Sequence, residues 1–134
     1  MASIDFSEVK KLKEVTLRCG NMDIMWIILA LQTITSEHGD LQQISIRVPH
    51  HSNSIANPAR TRQSVGEKIY SQWMDLDRLL VQSWEARAIR LKIMYSAYMK
   101  EEEATSVYVG VLLPEITKRG ISELVNIYGL HRFL

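Results

Sequence analysis

The amino-acid sequence predicts an α/β fold, namely a short β-α solenoid with three to four parallel strands and its helices on one face. Two observations predict it. A strand pattern with alternating apolar residues occurs three times along the chain, and the segments between its copies carry apolar residues at helical spacing. Strands and helices that alternate in this way form parallel pairs, because each helix carries the chain back to the start of the next strand.

The three strand segments share one order, a leucine or small residue followed by apolar residues at alternating positions. They begin at Leu12 (LKEVTLRC), Leu41 (LQQISIRV) and Ala88 (AIRLKIMY). The alternation is the two-residue period of a strand that buries one face. The L-x-x-L-x-L spacing is typical of the strand half of a leucine-rich repeat. We therefore predict a leucine-rich-repeat-like domain over 1–134, with 121–127 as a candidate fourth strand.

The connections between these strands are predicted to be helical apart from one polar loop. Residues 22–34 and 64–86 carry apolar residues spaced by three and four, which indicates helices with one buried stripe. Residues 49–63 (PHHSNSIANPARTRQ) are polar with two prolines and predict a loop. Pro114 is expected in the first turn of a short separate helix, which ends at Lys118-Arg119-Gly120.

The composition limits the classes of function. A chain of 134 residues with 46% hydrophobic and 23% charged residues fits one globular domain. Its 16 basic and 15 acidic residues leave a net charge of +1, without the basic excess of a typical nucleic-acid binder. The single cysteine cannot form an intrachain disulfide, and no apolar run is long enough for a membrane span. We therefore expect a cytoplasmic or nuclear protein that binds neither nucleic acid nor membrane.

Several segments resemble a known family. These are residues 76–87 (LDRLLVQSWEAR) with the strand after them, residues 112–125 (LLPEITKRGISELV), and the early segments LKEVTLRC and LQTITSEHGDLQQISI. They are similar to the degenerate leucine-rich repeats of fungal F-box-like proteins. The resemblance implies a module that binds a target protein, as in the substrate receptor of a ubiquitin ligase. Residues 1–11 before the first segment are too few for an F-box, so only the repeat region is carried over.

The outward residues of the three strands form the predicted binding surface. Stacked in register, they make three rows on the open face of the sheet, which solenoids commonly use for binding. They are Glu14, Thr16, Arg18, Gln43, Ser45, Arg47, Arg90, Lys92 and Met94. Four cations against one acid predict an acidic or polar protein segment as the partner. The alternative is that a half-exposed strand needs polar outer residues for solubility alone.

No pattern of a catalytic, cofactor or metal site is recognised, so no cofactor is expected. The sequence has neither a Gly-rich phosphate loop nor a G-x-S-x-G elbow. His50 and His51 lack a nearby acidic or cysteine partner, and Asp75 and Asp77 point apart on a helix, so neither pair predicts a metal site. Cys19, at a strand end, is interpreted as a core residue rather than a nucleophile.

Three interpretations of the function remain open at this point. The strand pattern favours a protein-interaction module. The second interpretation is a small α/β enzyme, or an enzyme subdomain, with an unrecognised site. The third is a fragment or protomer of a larger assembly, because residues 128–134 (YGLHRFL) are apolar for a free tail. That tail is expected either to fold back as a cap or to dock on a partner or a second copy of the chain.

Overall fold

Four parallel strands form one sheet in this computed structural model, and their order in the sheet is their order along the chain. They are β1 (Glu14–Arg18), β2 (Gln43–Arg47), β3 (Arg90–Tyr95) and β4 (Ser122–Asn126). The structure describes residues 6, 11–19, 24–35, 38–48, 58–87, 89–96 and 100–127, without the side chains of residues 60 and 64. The predicted α/β class and parallel sheet are confirmed, including the fourth strand.

The helices lie in the connections between the strands. Helix α1 (Met25–Gln32) joins β1 to β2, while α2 (Pro58–Val65) and α3 (Glu67–Arg87) precede β3. Between β3 and β4 the chain forms α4 (Glu101–Ala104), a π-helical segment (Thr105–Val109), α5 (Gly110–Leu112) and α6 (Pro114–Arg119). The helices predicted over 22–34 and 64–86 correspond to α1 and α3. Within the described residues, none of these helices has both the length and the apolar character that a membrane crossing requires.

The winding of the chain explains why one face of the sheet differs from the other. A parallel β-α-β crossover is right-handed in almost all proteins, so a sheet that always advances in one direction keeps its crossovers on one face. The order β1-β2-β3-β4 is such a sheet. Buried residues of α1, α3, α5 and α6 accordingly join the inward residues of the strands in one core, and the outward strand residues lie outside it.

Alternation along the strands decides which side chains enter that core. In β1, Val15 and Leu17 are buried and the residues on either side of each are exposed. Trp73 of α3 is 1% exposed and belongs to the same cluster. Burying an aliphatic side chain such as Val15 or Leu17 contributes roughly 1.5–3 kcal/mol. The alternating strand residues and the helical stripes therefore stabilise each other across a shared apolar layer.

The polar loop predicted over 49–63 is wrong in its last six residues, because α2 begins at Pro58. Residues 49–57 lie outside the described residues. Proline suits the first position of a helix, where its missing N–H would have no intrahelical partner. Thr61, 2% exposed, donates a hydrogen bond from its hydroxyl to the carbonyl of Val107 at 2.5 Å. A tertiary contact thus anchors a helix whose own sequence is polar.

Two glycines with positive φ lie directly after the ends of helices. Gly66 has φ 84° between α2 and α3, and Gly120 has φ 63° after α6. Glycine adopts this left-handed conformation without the steric cost that a Cβ would add. The predicted short helix from Pro114 and its end at Gly120 are both confirmed.

Candidate functional site

The outward side chains of the strands lie in three rows across the sheet, because neighbouring strands pair in register. The first row is Glu14, Gln43 and Arg90, the second is Thr16, Ser45 and Lys92, and the third is Arg18, Arg47 and Met94. Strand β4 adds Glu123 to the second row and Val125 to the third. We call these eleven residues the sheet face. The nine residues predicted from the sequence are thus neighbours. Glu123 and Val125 were missed, and the alternation along β4 is the sequence signal that could have identified them.

Side-chain exposure varies across the sheet face. Glu14, Thr16, Arg18, Arg90 and Glu123 are exposed, whereas Ser45 at the centre is 2% exposed. Ser45 has a short side chain and lies between Thr16 of β1 and Lys92 of β3. The amide of Gln43 donates hydrogen bonds to Oε1 of Glu14 and to Oγ of Ser45, each at 2.9 Å. Gln43 thereby ties together the first two rows and two of the strands.

Positive charge on the sheet face lies in the third row and along β3. Arg18 and Arg47 are direct cross-strand neighbours in the third row, and Lys92 and Arg90 lie on β3 in the second and first rows. Among the described residues, the ion pairs include none made by Arg18, Lys92 or Arg90. Like charges that face each other across strands destabilise a sheet. Arg18 and Arg47 place two cations at adjacent positions of neighbouring strands.

Cys19 lies just after β1 and is buried in the core, which confirms its interpretation as a core residue. Its backbone N–H donates to the carbonyl of Arg47 at 2.8 Å and extends the pairing of β1 with β2. Burial raises the pKa of its thiol to about 12. The sulfur therefore stays protonated at neutral pH, whereas a nucleophilic cysteine needs its thiolate.

Two buried polar residues of α3 cap other helices. Asp77 accepts hydrogen bonds from the backbone N–H groups of Glu115 (2.9 Å) and Ile116 (3.1 Å) in the first turn of α6. Desolvation raises the pKa of the Asp77 carboxyl, and the two N–H groups oppose that shift by stabilising the charged form. Gln72 likewise accepts from the N–H of Ile24, just before α1, at 3.0 Å. Asp77 and Gln72 therefore have structural roles.

His38 is the buried histidine of the described chain segments, and both of its ring nitrogens are engaged. Nδ1 accepts from the N–H of Thr35 at 3.0 Å, so Nε2 carries the proton and donates to the carbonyl of Phe6 at 2.7 Å. No group of three or more His, Cys, Asp or Glu side chains in the described ranges is arranged to hold a metal ion. His50, His51, Ala88 and the tail 128–134 lie outside those ranges.

Asp75 and Asp77 have separate environments, as the helical spacing predicts. Asp75 is exposed and lies 3.6 Å from Arg78, whereas Asp77 is buried against α6. Among the residues that the structure describes, the sheet face gathers polar and charged side chains on one surface apart from these structural contacts.

Comparisons of the chain with protein-family models, with curated protein sequences and with solved structures found no match. The resemblance to fungal F-box-like repeats stays a prediction. The function is therefore inferred from the geometry and charge of the sheet face itself.

Proposed function

We propose that this chain is a protein-interaction module whose sheet face binds an acidic, extended protein segment. The observation that carries the proposal is the group of four cations, Arg18, Arg47, Lys92 and Arg90, on the face of the sheet opposite the helices. Four cations there outnumber the two acids, Glu14 and Glu123. The whole chain, in contrast, is nearly neutral.

The chemistry of these cations favours carboxylates. A guanidinium group offers paired N–H donors that match the two oxygens of a carboxylate, and such charge-assisted hydrogen bonds are stronger than neutral ones. A segment that crosses the strands from β1 to β3 could place one acidic side chain between Arg18 and Arg47 and a second beside Lys92. Complementary charge of this kind sets the register of the bound segment and speeds its association.

The winding of the chain supports a solenoid of the leucine-rich-repeat type as the scaffold of this surface. The sheet advances in one direction, and the leading residues Leu12 and Leu41 lie in or against the core, as the repeat pattern predicts. Such repeats commonly bind protein partners through the strand face. The sequence resemblance to F-box-like repeats points to the same class of function, in the cytoplasm or nucleus.

A matched pair of charge-reversal variants tests the proposal. The first is Arg18→Glu with Arg47→Glu, on the sheet face. The control is Lys68→Glu with Lys118→Glu, which changes the net charge equally at exposed positions of α3 and α6. The probe is a fluorescently labelled peptide in which glutamates alternate with small polar residues, and anisotropy measures its affinity.

We expect the sheet-face variant to bind the peptide at least about 100-fold more weakly, since each lost charge contact costs about tenfold. The control is expected to stay within about threefold of the wild type, and rising salt should weaken wild-type binding. The proposal fails if the wild type does not bind the glutamate peptide, or if both variants lose affinity equally.

A further inference from the structure

Charge is divided unevenly among the three rows of the sheet face. The first row contains one acid, Glu14, and one base, Arg90. The second row also contains one of each, because Lys92 of β3 pairs directly with Glu123 of β4. These two rows therefore carry no net charge. The third row contains two arginines and no acid, so the net positive charge of the sheet face is concentrated there.

The third row is divided into a basic half and an apolar half. Arg18 of β1 and Arg47 of β2 are direct neighbours, and Met94 of β3 pairs in the same row with Val125 of β4. Arg18 is exposed and the other three residues are half-buried. A ligand that lies along this row therefore meets two guanidinium groups at one end and two apolar side chains at the other.

The spacing of the strands sets the distance between the two halves. Neighbouring strands lie about 4.8 Å apart, so the centre of the arginine pair and the centre of the Met94–Val125 pair are about 10 Å apart. In a polyproline II segment every third side chain points the same way, and three residues span about 9.3 Å. In a β-strand the side chains that share a face are about 6.6 or 13 Å apart, and neither distance matches.

We propose that the third row selects a protein segment in which an acidic residue and a large aliphatic residue lie three positions apart. The acidic residue places its carboxylate between Arg18 and Arg47, whose guanidinium groups donate paired hydrogen bonds to it. The aliphatic residue packs on Met94 and Val125 and removes apolar surface from water. The segment crosses the strands as a polyproline II helix, whose preformed backbone loses little entropy on binding. This selectivity rests on the proposed function, because it concerns the same surface.

Labelled peptides of equal length and charge test the spacing. Each contains one glutamate and one leucine, separated by two, three or four positions, in a background of proline and serine. The peptide with the three-position spacing is made in both orders, because the segment can cross the strands in either direction. In fluorescence anisotropy, the tighter-binding of these two should bind at least about tenfold more tightly than the peptides with spacings of two and four.

A double-mutant cycle locates the leucine on the sheet face. Changing the peptide leucine to alanine should weaken binding to the wild-type chain about tenfold. In the variant that combines Met94→Ala with Val125→Ala, the same change in the peptide should cost less than about threefold. Met25→Ala, the same substitution at an exposed position of α1, is the control and should keep the wild-type preference for leucine. Circular dichroism shows whether the variants are folded.

The outcomes separate this inference from the proposed function. If the chain binds the glutamate peptide described above but prefers no spacing, the inference alone is overturned. The same holds if the preference for leucine persists in the double variant. If the chain binds neither that peptide nor any of the spacing peptides, the inference and the proposed function are both overturned.

Discussion

Replacing Asp77 by alanine is expected to lower the free energy of unfolding by about 2–4 kcal/mol. The carboxylate holds the N–H groups of Glu115 and Ile116 at 2.9 and 3.1 Å, and Ile116 is fully buried. A buried N–H left without an acceptor costs about 1–3 kcal/mol. Desolvation, which raises the pKa of Asp77, makes the buried carboxylate less stabilising than its two hydrogen bonds alone. The free energy of unfolding lost in Asp77→Ala is therefore smaller than the sum of two strong hydrogen bonds.

Asp77→Asn separates the hydrogen bonds from the charge. The amide keeps one acceptor oxygen but turns an N–H₂ group toward a backbone donor, so a loss of about 1–2 kcal/mol is expected. The folded-state pKa of Asp77 lies above its usual 3.8. The folded protein therefore binds more protons than the unfolded chain between 3.8 and that raised value, and wild-type stability falls as pH rises through this window. The Asn variant lacks this dependence.

Urea denaturation followed by circular dichroism across the acidic range measures both effects. Asp40→Ala and Asp40→Asn are matched controls, because Asp40 is an exposed aspartate and each change should stay within about 0.5 kcal/mol of the wild type. The stability advantage of the wild type over Asp77→Asn should shrink as pH rises through the window. An advantage that widens would show that the two N–H groups outweigh desolvation, and would refute the reasoning.

Further predictions concern the helices and the single cysteine. Gly110→Ala should lower stability by about 1–3 kcal/mol, because the added methyl would collide with the carbonyl oxygen of Thr105. Gly39→Ala, where the methyl meets nothing within 4 Å, is the control in the same thermal melts. Thr61→Val should cost about 1–2 kcal/mol in urea denaturation, because the carbonyl of Val107 loses the buried hydrogen bond that the Thr61 hydroxyl donates. The Cys19 thiol should react with iodoacetamide at neutral pH only as fast as the fold opens, and prompt labelling of the native chain would contradict its burial.

The rows of the sheet face could be predicted because a strand has a local period of two. Once Val15 and Leu17 are inward, the residues between and beside them point outward. The same spacing after Leu12 and Leu41 also predicts that Arg18 lies beside Arg47, as the register shows. The near-complete burial of Ser45 could not be predicted this way, because it depends on the side chains of both neighbouring strands.

Helix α2 and the cap of α6 could not be predicted from a local period. A polar segment with a proline is typical of a loop, whereas this one forms a helix from Pro58 that is bonded through Thr61 to the π-helical segment, 46 residues further along the chain. Asp77 caps α6 from 38 residues earlier, a distance at which no capping pattern can be recognised in the sequence. Likewise, Leu29 and Leu79 form one surface only because α1 and α3 lie side by side.

The sequence by itself determined the strands, their inward and outward residues, and the alternation with helices that leads to a parallel sheet. These features depend on periods of two and about 3.6 residues, which each segment carries within itself. Only the tertiary structure decided the burial of Ser45, Asp77 and His38, and the pairing of α1 with α3. Each of these depends on which distant segments become neighbours, and a local period holds no information about that.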